Sequence, residues 1–355
     1  MDKLIDTQRK ENNFINIVKL IACSMVVTIH CRFPGEAGSV VASLARFAVP
    51  FFFAIAGRYF ISEGDFDTKK IRAKALQRLK GIIPVTALIW CAYTVYSLIW
   101  CLSHGDTFQK WLSMKFNGFE LSRLLLFTSG QYLYDYSFSF DHMWFLFALI
   151  YIYALVWICA PLFEKLYIPL MLILFGFLFW GEWLQLFYPV KFLGLGLSTW
   201  YVVRNWLFVG FPFFFLGVLV SVVIHKNNKG NRYNVVTNKT ILWSLLIIGI
   251  ILCVAENRLL GSVEVHIGSL IMVMAILFLA EKYSAVDKSF FSKAGAKASS
   301  GVYYWHVMVL SLFNTFLYTF ESIYIYQVVK PVLVIIATFA IVYAFAPLAR
   351  KYLRY

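Results

Sequence analysis

The run FINIVKLIACSMVVTIHCR, residues 14–32, decides how this chain is read. It is long and apolar enough to cross about 30 Å of hydrocarbon as a helix, yet it carries Lys19 and His30. Ionisable groups inside a membrane are costly, so each is a functional candidate. The two are eleven residues apart. At about 100° per residue they project from one face, separated by roughly 16 Å along the helix axis. Cys23, Val26 and Val27 fill the stripe between them. A structural account also exists, in which Lys19 snorkels to the inner interface and His30 caps the outer helix end beside Cys31 and Arg32. On this run alone the two accounts stand even.

Working outward, the same pattern recurs. Apolar stretches predict membrane helices near 14–32, 44–62, 82–102, 142–162, 165–182, 205–225, 240–260, 264–281, 300–320 and 331–349. The expected fold is all-α: a polytopic integral membrane protein of about ten transmembrane helices, forming a single transmembrane domain over residues 1–355. With 61% of residues hydrophobic and 14% charged, no soluble domain able to fold alone is expected. Segment 103–141 is expected to rest at an interface or re-enter, because TFQKWLSMKF (107–116) is amphipathic. Segment 183–204 is ambiguous, and no internal repeat is visible.

Charge sets the orientation. With the N-terminus inside, 21 of the 32 Lys and Arg fall in inner segments and 8 in outer ones, while Lys19, Arg46 and Arg58 lie within spans. That positive-inside bias places both termini in the cytoplasm of a multi-pass cell-membrane protein. SEGDFDTKKIRAKALQRLKG (62–81) reads as the one long basic loop. The net charge of +14 thus belongs to membrane topology, and no nucleic-acid partner is expected. The six cysteines form no CxxC pair, so neither a disulfide framework nor a metal site is indicated. MDKLIDTQRKENN (1–13) is polar with both signs of charge, so no cleavable leader is expected. A P-loop, a dinucleotide glycine fingerprint, HExxH and GxSxG are all missing.

Four further stretches hold chemistry-bearing residues. SLARFAVPFFFAIAGRYF (43–60) brackets a Val-Pro-Phe-Phe run with Arg46 and Arg58, and HMWFLFALI (142–150) opens on His142 and Trp144. RNWLFVGFPFFFLGVLV (204–220) runs from Arg204 into a Phe/Gly-rich helix, and SSGVYYWHVMVL (299–310) places Tyr303 and His306. In this order, and with a basic residue separated from His30 by ten intervening residues, the chain resembles the acyltransferase-3 family of membrane acyltransferases. It departs from the family pattern at three places. Lys19 replaces the usual Arg, Ala56-Gly57 replaces Ser-Gly ahead of an unusual Arg58, and Gly81 occupies the second Arg position of the Arg-x-x-Arg before Pro84, with Lys80 beside it.

Members of that family move acyl groups, commonly acetyl from acetyl-CoA, onto hydroxyls of surface glycans and other extracytoplasmic acceptors. The resemblance implies a membrane O-acyltransferase using cytoplasmic acyl-CoA as a donor substrate, with no permanently bound cofactor, and a glycan or glycolipid acceptor. An alcohol near neutral pH is a weak nucleophile, and an imidazole suits the task of taking its proton. His30 is therefore the expected base, with Lys19 a substrate- or helix-positioning charge. Arg78 and Lys80, adjoining the span, are expected to hold CoA phosphates, with Arg58 a further candidate. Lys69, Lys70, Arg72 and Lys74 read more readily as a topology signal touching anionic membrane lipids.

His142 and Trp144, on the outer side, either contact the acceptor or anchor an aromatic belt. Arg204 either contacts the acceptor or anchors. His306 is expected near the inner face, in a structural hydrogen bond. Tyr132, Tyr134 and Tyr136 around Asp135 offer a sugar platform. His104, His225 and His266 carry no assignment. The alternative function is a small-molecule, amino-acid-like transporter, because a related membrane module occurs fused to a serine racemase domain in vancomycin-resistance systems. A non-catalytic scaffold is a third reading, against which Lys19 and His30 stand.

Overall fold

The computed structural model describes residues 12–61, 64–133, 141–184, 191–192, 195–196, 200–228, 238–261, 263–284 and 288–353. Tyr134, Asp135 and Tyr136 of the expected sugar platform lie outside them. The helices are α1 (Asn13–His30), α2 (Gly35–Ala45), α3 (Ala48–Arg58), α4 (Thr68–Ser103), α5 (Phe108–Lys115), α6 (Gly118–Phe127) and α7 (Trp144–Ile158). They continue as α8 (Phe163–Phe179), α9 (Phe211–Asn228), α10 (Lys239–Leu260), α11 (Ile267–Lys282), α12 (Phe290–Phe316) and α13 (Tyr324–Leu353). A four-residue helix, Trp200–Val203, and short 3-10 and π turns join several of them. Among the described residues, the one extended pair is Lys191–Phe192 antiparallel to Leu195–Gly196. The fold is all-α.

Among the described residues, seven helical stretches are long and apolar enough to cross a membrane: Asn13–His30, Gly35–Arg58, Thr68–Ser103, Ala160–Trp183, Trp206–Asn227, Lys239–Leu260 and Tyr324–Phe345. The other three expected spans correspond to α7, α11 and α12, of 15, 16 and 27 residues. The first two are short, and α12 opens on the polar FFSKAGAKASSG. Val95 and Ile99 on α4, Ile247 and Ile251 on α10 and Ile336 on α13 are exposed, as they would be against lipid tails rather than water.

Three sequence boundaries need correction. The second span is two helices, α2 and α3, rather than one run over 44–62. The basic stretch is not a loop: α4 starts at Thr68, where the Asp67 side chain accepts from Lys70 N at 2.9 Å. Its 36 residues span roughly 54 Å at about 1.5 Å each, well beyond the hydrocarbon, so the basic third is a helical extension. Charge density made it look like a loop, whereas Asp67 supplies a helix start. Likewise α12 starts at Phe290, capped by the Ser289 side chain, ten residues before the span expected from hydropathy.

That early start fixes the register of the central contact. Ser292 Oγ donates to Asn13 Oδ1 (2.7 Å), and Cys23 Sγ donates to the Ser299 carbonyl (3.1 Å). A Cβ on Gly295 would stand 1.8 Å from the Asn16 carbonyl oxygen, so α12 touches α1 through bare backbone. The pairs rise together along both helices, so α1 and α12 are parallel. A similar crossing joins α3 to α9, where a Cβ on Gly57 would lie 1.8 Å from the Phe214 carbonyl oxygen and one on Gly217 1.9 Å from that of Ala54. Small residues that let helices approach this closely are a hallmark of packing in lipid.

Candidate active site

Parallel packing carries His30, at the last turn of α1, to His306, sixteen residues into α12. Their ring centroids are 5.3 Å apart. His142, in the 3-10 turn before α7, completes a cluster at 5.0 Å from His306 and 6.4 Å from His30. His306 therefore lies level with His30, not at the opposite face as hydropathy had placed it. The structural hydrogen bond expected of it is present: Nδ1 donates to the carbonyls of Val302 (3.0 Å) and Tyr303 (2.9 Å).

Those bonds fix tautomers. A carbonyl only accepts, so His306 carries its proton on Nδ1, and Nε2 is left as a basic nitrogen. That Nε2 is buried with no hydrogen-bond partner among the described residues. In His142 the roles invert. Nε2 donates to the Tyr304 carbonyl at 3.2 Å, and the buried Nδ1 has no partner among the described residues. Two buried acceptors without donors are expensive unless a ligand or water satisfies them. The frame around them is firm. Tyr93 Oη donates to the Tyr304 carbonyl (2.9 Å) and accepts from Met308 N (3.1 Å), while Tyr303 Oη donates to the His142 carbonyl.

His30 is half-buried and borders two cavities. One is a cleft of about 40 Å³ whose lining includes His142, Trp144, Arg46, Arg204, Glu264 and Tyr303. In it Arg46 pairs with Glu264 at 2.8 Å, and the Arg204 guanidinium lies 5.8 Å from the Trp144 ring centroid. The other is a polar cavity of about 250 Å³ bordered by the start of α13 and the end of α12. Behind the cleft, His266 is fully buried between α10 and α11. Sequence had left that histidine unassigned.

Of the residues singled out from sequence, His30, His142, Trp144 and Arg204 come together at the cleft. His142 and Trp144 are buried at 3% and 6% exposure, so neither is an interfacial anchor. Lys19 stays three turns below His30 on α1 and lines neither cavity. Arg58 is buried at the far end of α3, where it donates to the Leu277 carbonyl (2.7 Å) and pairs with Glu281 (3.1 Å). Arg78 and Lys80 are exposed on α4, away from the histidines. The residues that sequence reasoning missed are Glu264, Tyr93, Asn314, Glu321, Gln327 and Lys330. Arg46 was seen, but as a charge within the second span rather than half of an ion pair. A glutamate just ahead of an apolar run was the available signal for Glu264; for Tyr93, one aromatic among 21 tyrosines, there was none.

An all-helical bundle with apolar outer faces and a histidine cluster flanked by paired charges defines a membrane protein with a polar site inside its helices. Comparison with known families gives the class its family: the model of an acyltransferase domain, the acyltransferase-3 family, matches residues 12–350. The chain belongs to that family and is a membrane acyltransferase. No curated protein and no solved structure matches it significantly.

Proposed function

We propose that the chain is a multi-pass cell-membrane O-acyltransferase that moves an acetyl group from cytoplasmic acetyl-CoA to a hydroxyl of a surface glycan or glycolipid. In this reading α1, α2–α3, α4, α7, α8, α9, α10, α11, α12 and α13 make ten crossings, with both termini inside. The carrying observation is the cluster of His30, His142 and His306, in which His30 borders both cavities. A transporter needs a passage for its solute, whereas a group transfer needs two substrates to meet at one base.

The step balances as follows. The acceptor hydroxyl oxygen attacks the thioester carbonyl as its proton passes to a His30 ring nitrogen. The tetrahedral intermediate collapses, the C–S bond breaks, and the CoA thiolate takes the proton from His30, leaving an ester on the acceptor. The lone pairs on His142 Nδ1 and His306 Nε2 supply acceptors for a water beside the base, leaving the single proton of the reacting hydroxyl to His30. Arg78 and Lys80 are assigned to the CoA phosphates, Lys19 to holding the lower half of α1, and Arg58 to the bundle.

General-base help is typically worth about 10²- to 10⁴-fold in rate, so His30→Ala is expected to lose that much kcat while still binding acyl-CoA. His30→Gln keeps hydrogen bonding and approximate size without a useful base. It should be as inactive as Ala, in protein that stays folded and in the membrane. Near wild-type turnover by His30→Gln would return the residue to a helix-capping role.

A further inference from the structure

The proposed function does not say where the acceptor sits. We infer that the cavity on the α12–α13 side of His30 is the acceptor subsite and that it takes one uncharged pyranose ring, presenting a hydroxyl to His30. The chemistry rests on the acyl-transfer reading; the choice of ligand rests on the cavity itself.

Size separates the two spaces beside His30. The cleft by Trp144 has about 40 Å³, room for little more than a few water-sized groups. The second cavity, of about 250 Å³, is the size of a sugar ring. Its lining is polar, and the charges of its ion pair cancel. Lys330 and Glu321 are ion-paired, with side chains 11% and 34% exposed, so together they present a strong donor and a strong acceptor without net charge. Gln327 Nε2 donates to the Glu321 carbonyl at 2.8 Å, which fixes the amide with its oxygen unengaged among the described residues. Asn314 Oδ1 is buried and has no partner among the described residues. Arg32, the remaining charged group of the lining, is exposed.

Acceptor oxygens beside a compensated ion pair call for a ligand whose groups both donate and accept. Each hydroxyl of a pyranose does so, and one of them satisfies the Asn314 oxygen. An anion would meet the Glu321 carboxylate and the Asn314 oxygen, both acceptors. A hydrocarbon chain would leave the orphaned oxygen and the ion pair without partners.

Gln327→Cys in the full chain, in right-side-out membrane vesicles, is expected to react with a membrane-impermeant maleimide above the background of the unsubstituted chain. Millimolar methyl glucoside, galactoside or mannoside should slow that reaction severalfold, while methyl glucuronoside outside and acetyl-CoA loaded inside the vesicles should not. No labelling from outside, equal rates with all three neutral glycosides, or protection by acetyl-CoA or the glucuronoside alone would each overturn the assignment. This readout needs no turnover. The acyl-transfer reading fails separately, if the unsubstituted chain releases no CoA thiol from acetyl-CoA in the presence of a protecting glycoside. Asn314→Leu should raise the glycoside KM about tenfold, the scale of one lost buried hydrogen bond, and leave the acetyl-CoA KM unchanged. An unchanged glycoside KM, or a raised acetyl-CoA KM, contradicts the subsite.

Discussion

His30 was legible in sequence because an imidazole at the end of an apolar run is conspicuous. Its companions were legible only as separate motifs. That His142 and His306 meet it is a tertiary fact, set by the parallel contact of α1 with α12 and by Tyr303, which ties α12 to the His142 carbonyl. The wrong placement of His306 traces to a single local effect. Ser, Lys, Ala and Gly at 292–301 lower the hydropathy of a stretch that is nonetheless helical. His306→Phe tests the role of this ring, since it keeps a flat ring but removes Nε2. Misplacing a reacting group costs on the order of 10- to 100-fold, so kcat should fall by that much with acyl-CoA KM unchanged. Unaltered steady-state kinetics would make His306 a packing residue.

The helices differ in how well their sequences announced them. α9 and α10 match expectation because apolar composition alone determines them. The helical extension at the start of α4 did not show itself, because six basic residues mask a continuous helix begun by Asp67. If that extension holds the CoA phosphates, Arg78→Glu with Lys80→Glu should raise the acyl-CoA KM with expression and folding intact; unchanged acyl-CoA saturation removes both residues from the donor site. At the other extreme, the α3–α9 crossing tolerates no added atom at Gly57. Gly57→Ala should destabilise the detergent-solubilised protein by about 1–3 kcal/mol, the usual cost of overpacking. A melting temperature equal to that of the parent chain would mean that the crossing is looser than the 1.8 Å approach implies. Arg58 belongs with this packing, since its guanidinium is occupied by the Leu277 carbonyl and by Glu281.

Across the bundle, the long basic stretch and the histidines sit at opposite ends. The basic extension of α4 and the buried Arg58–Glu281 pair lie at the end where α1 begins, and the histidines and both cavities lie where it finishes. In the proposed reading, which puts the N-terminus inside, acyl-CoA arrives at the basic end and the ester forms toward the outer one. Cysteine labelling at Asn228, and a tag at the C-terminus, should both report the cytoplasmic side; an external signal from either reverses this arrangement. The most direct measurement uses right-side-out membrane vesicles loaded with acetyl-CoA carrying a radiolabelled acetyl group. The account predicts that label appears on external glycan or glycolipid as an alkali-labile ester, in vesicles holding the parent chain and not in those holding His30→Gln. Label crossing the membrane without forming an ester, or ester made equally by both chains, would contradict it.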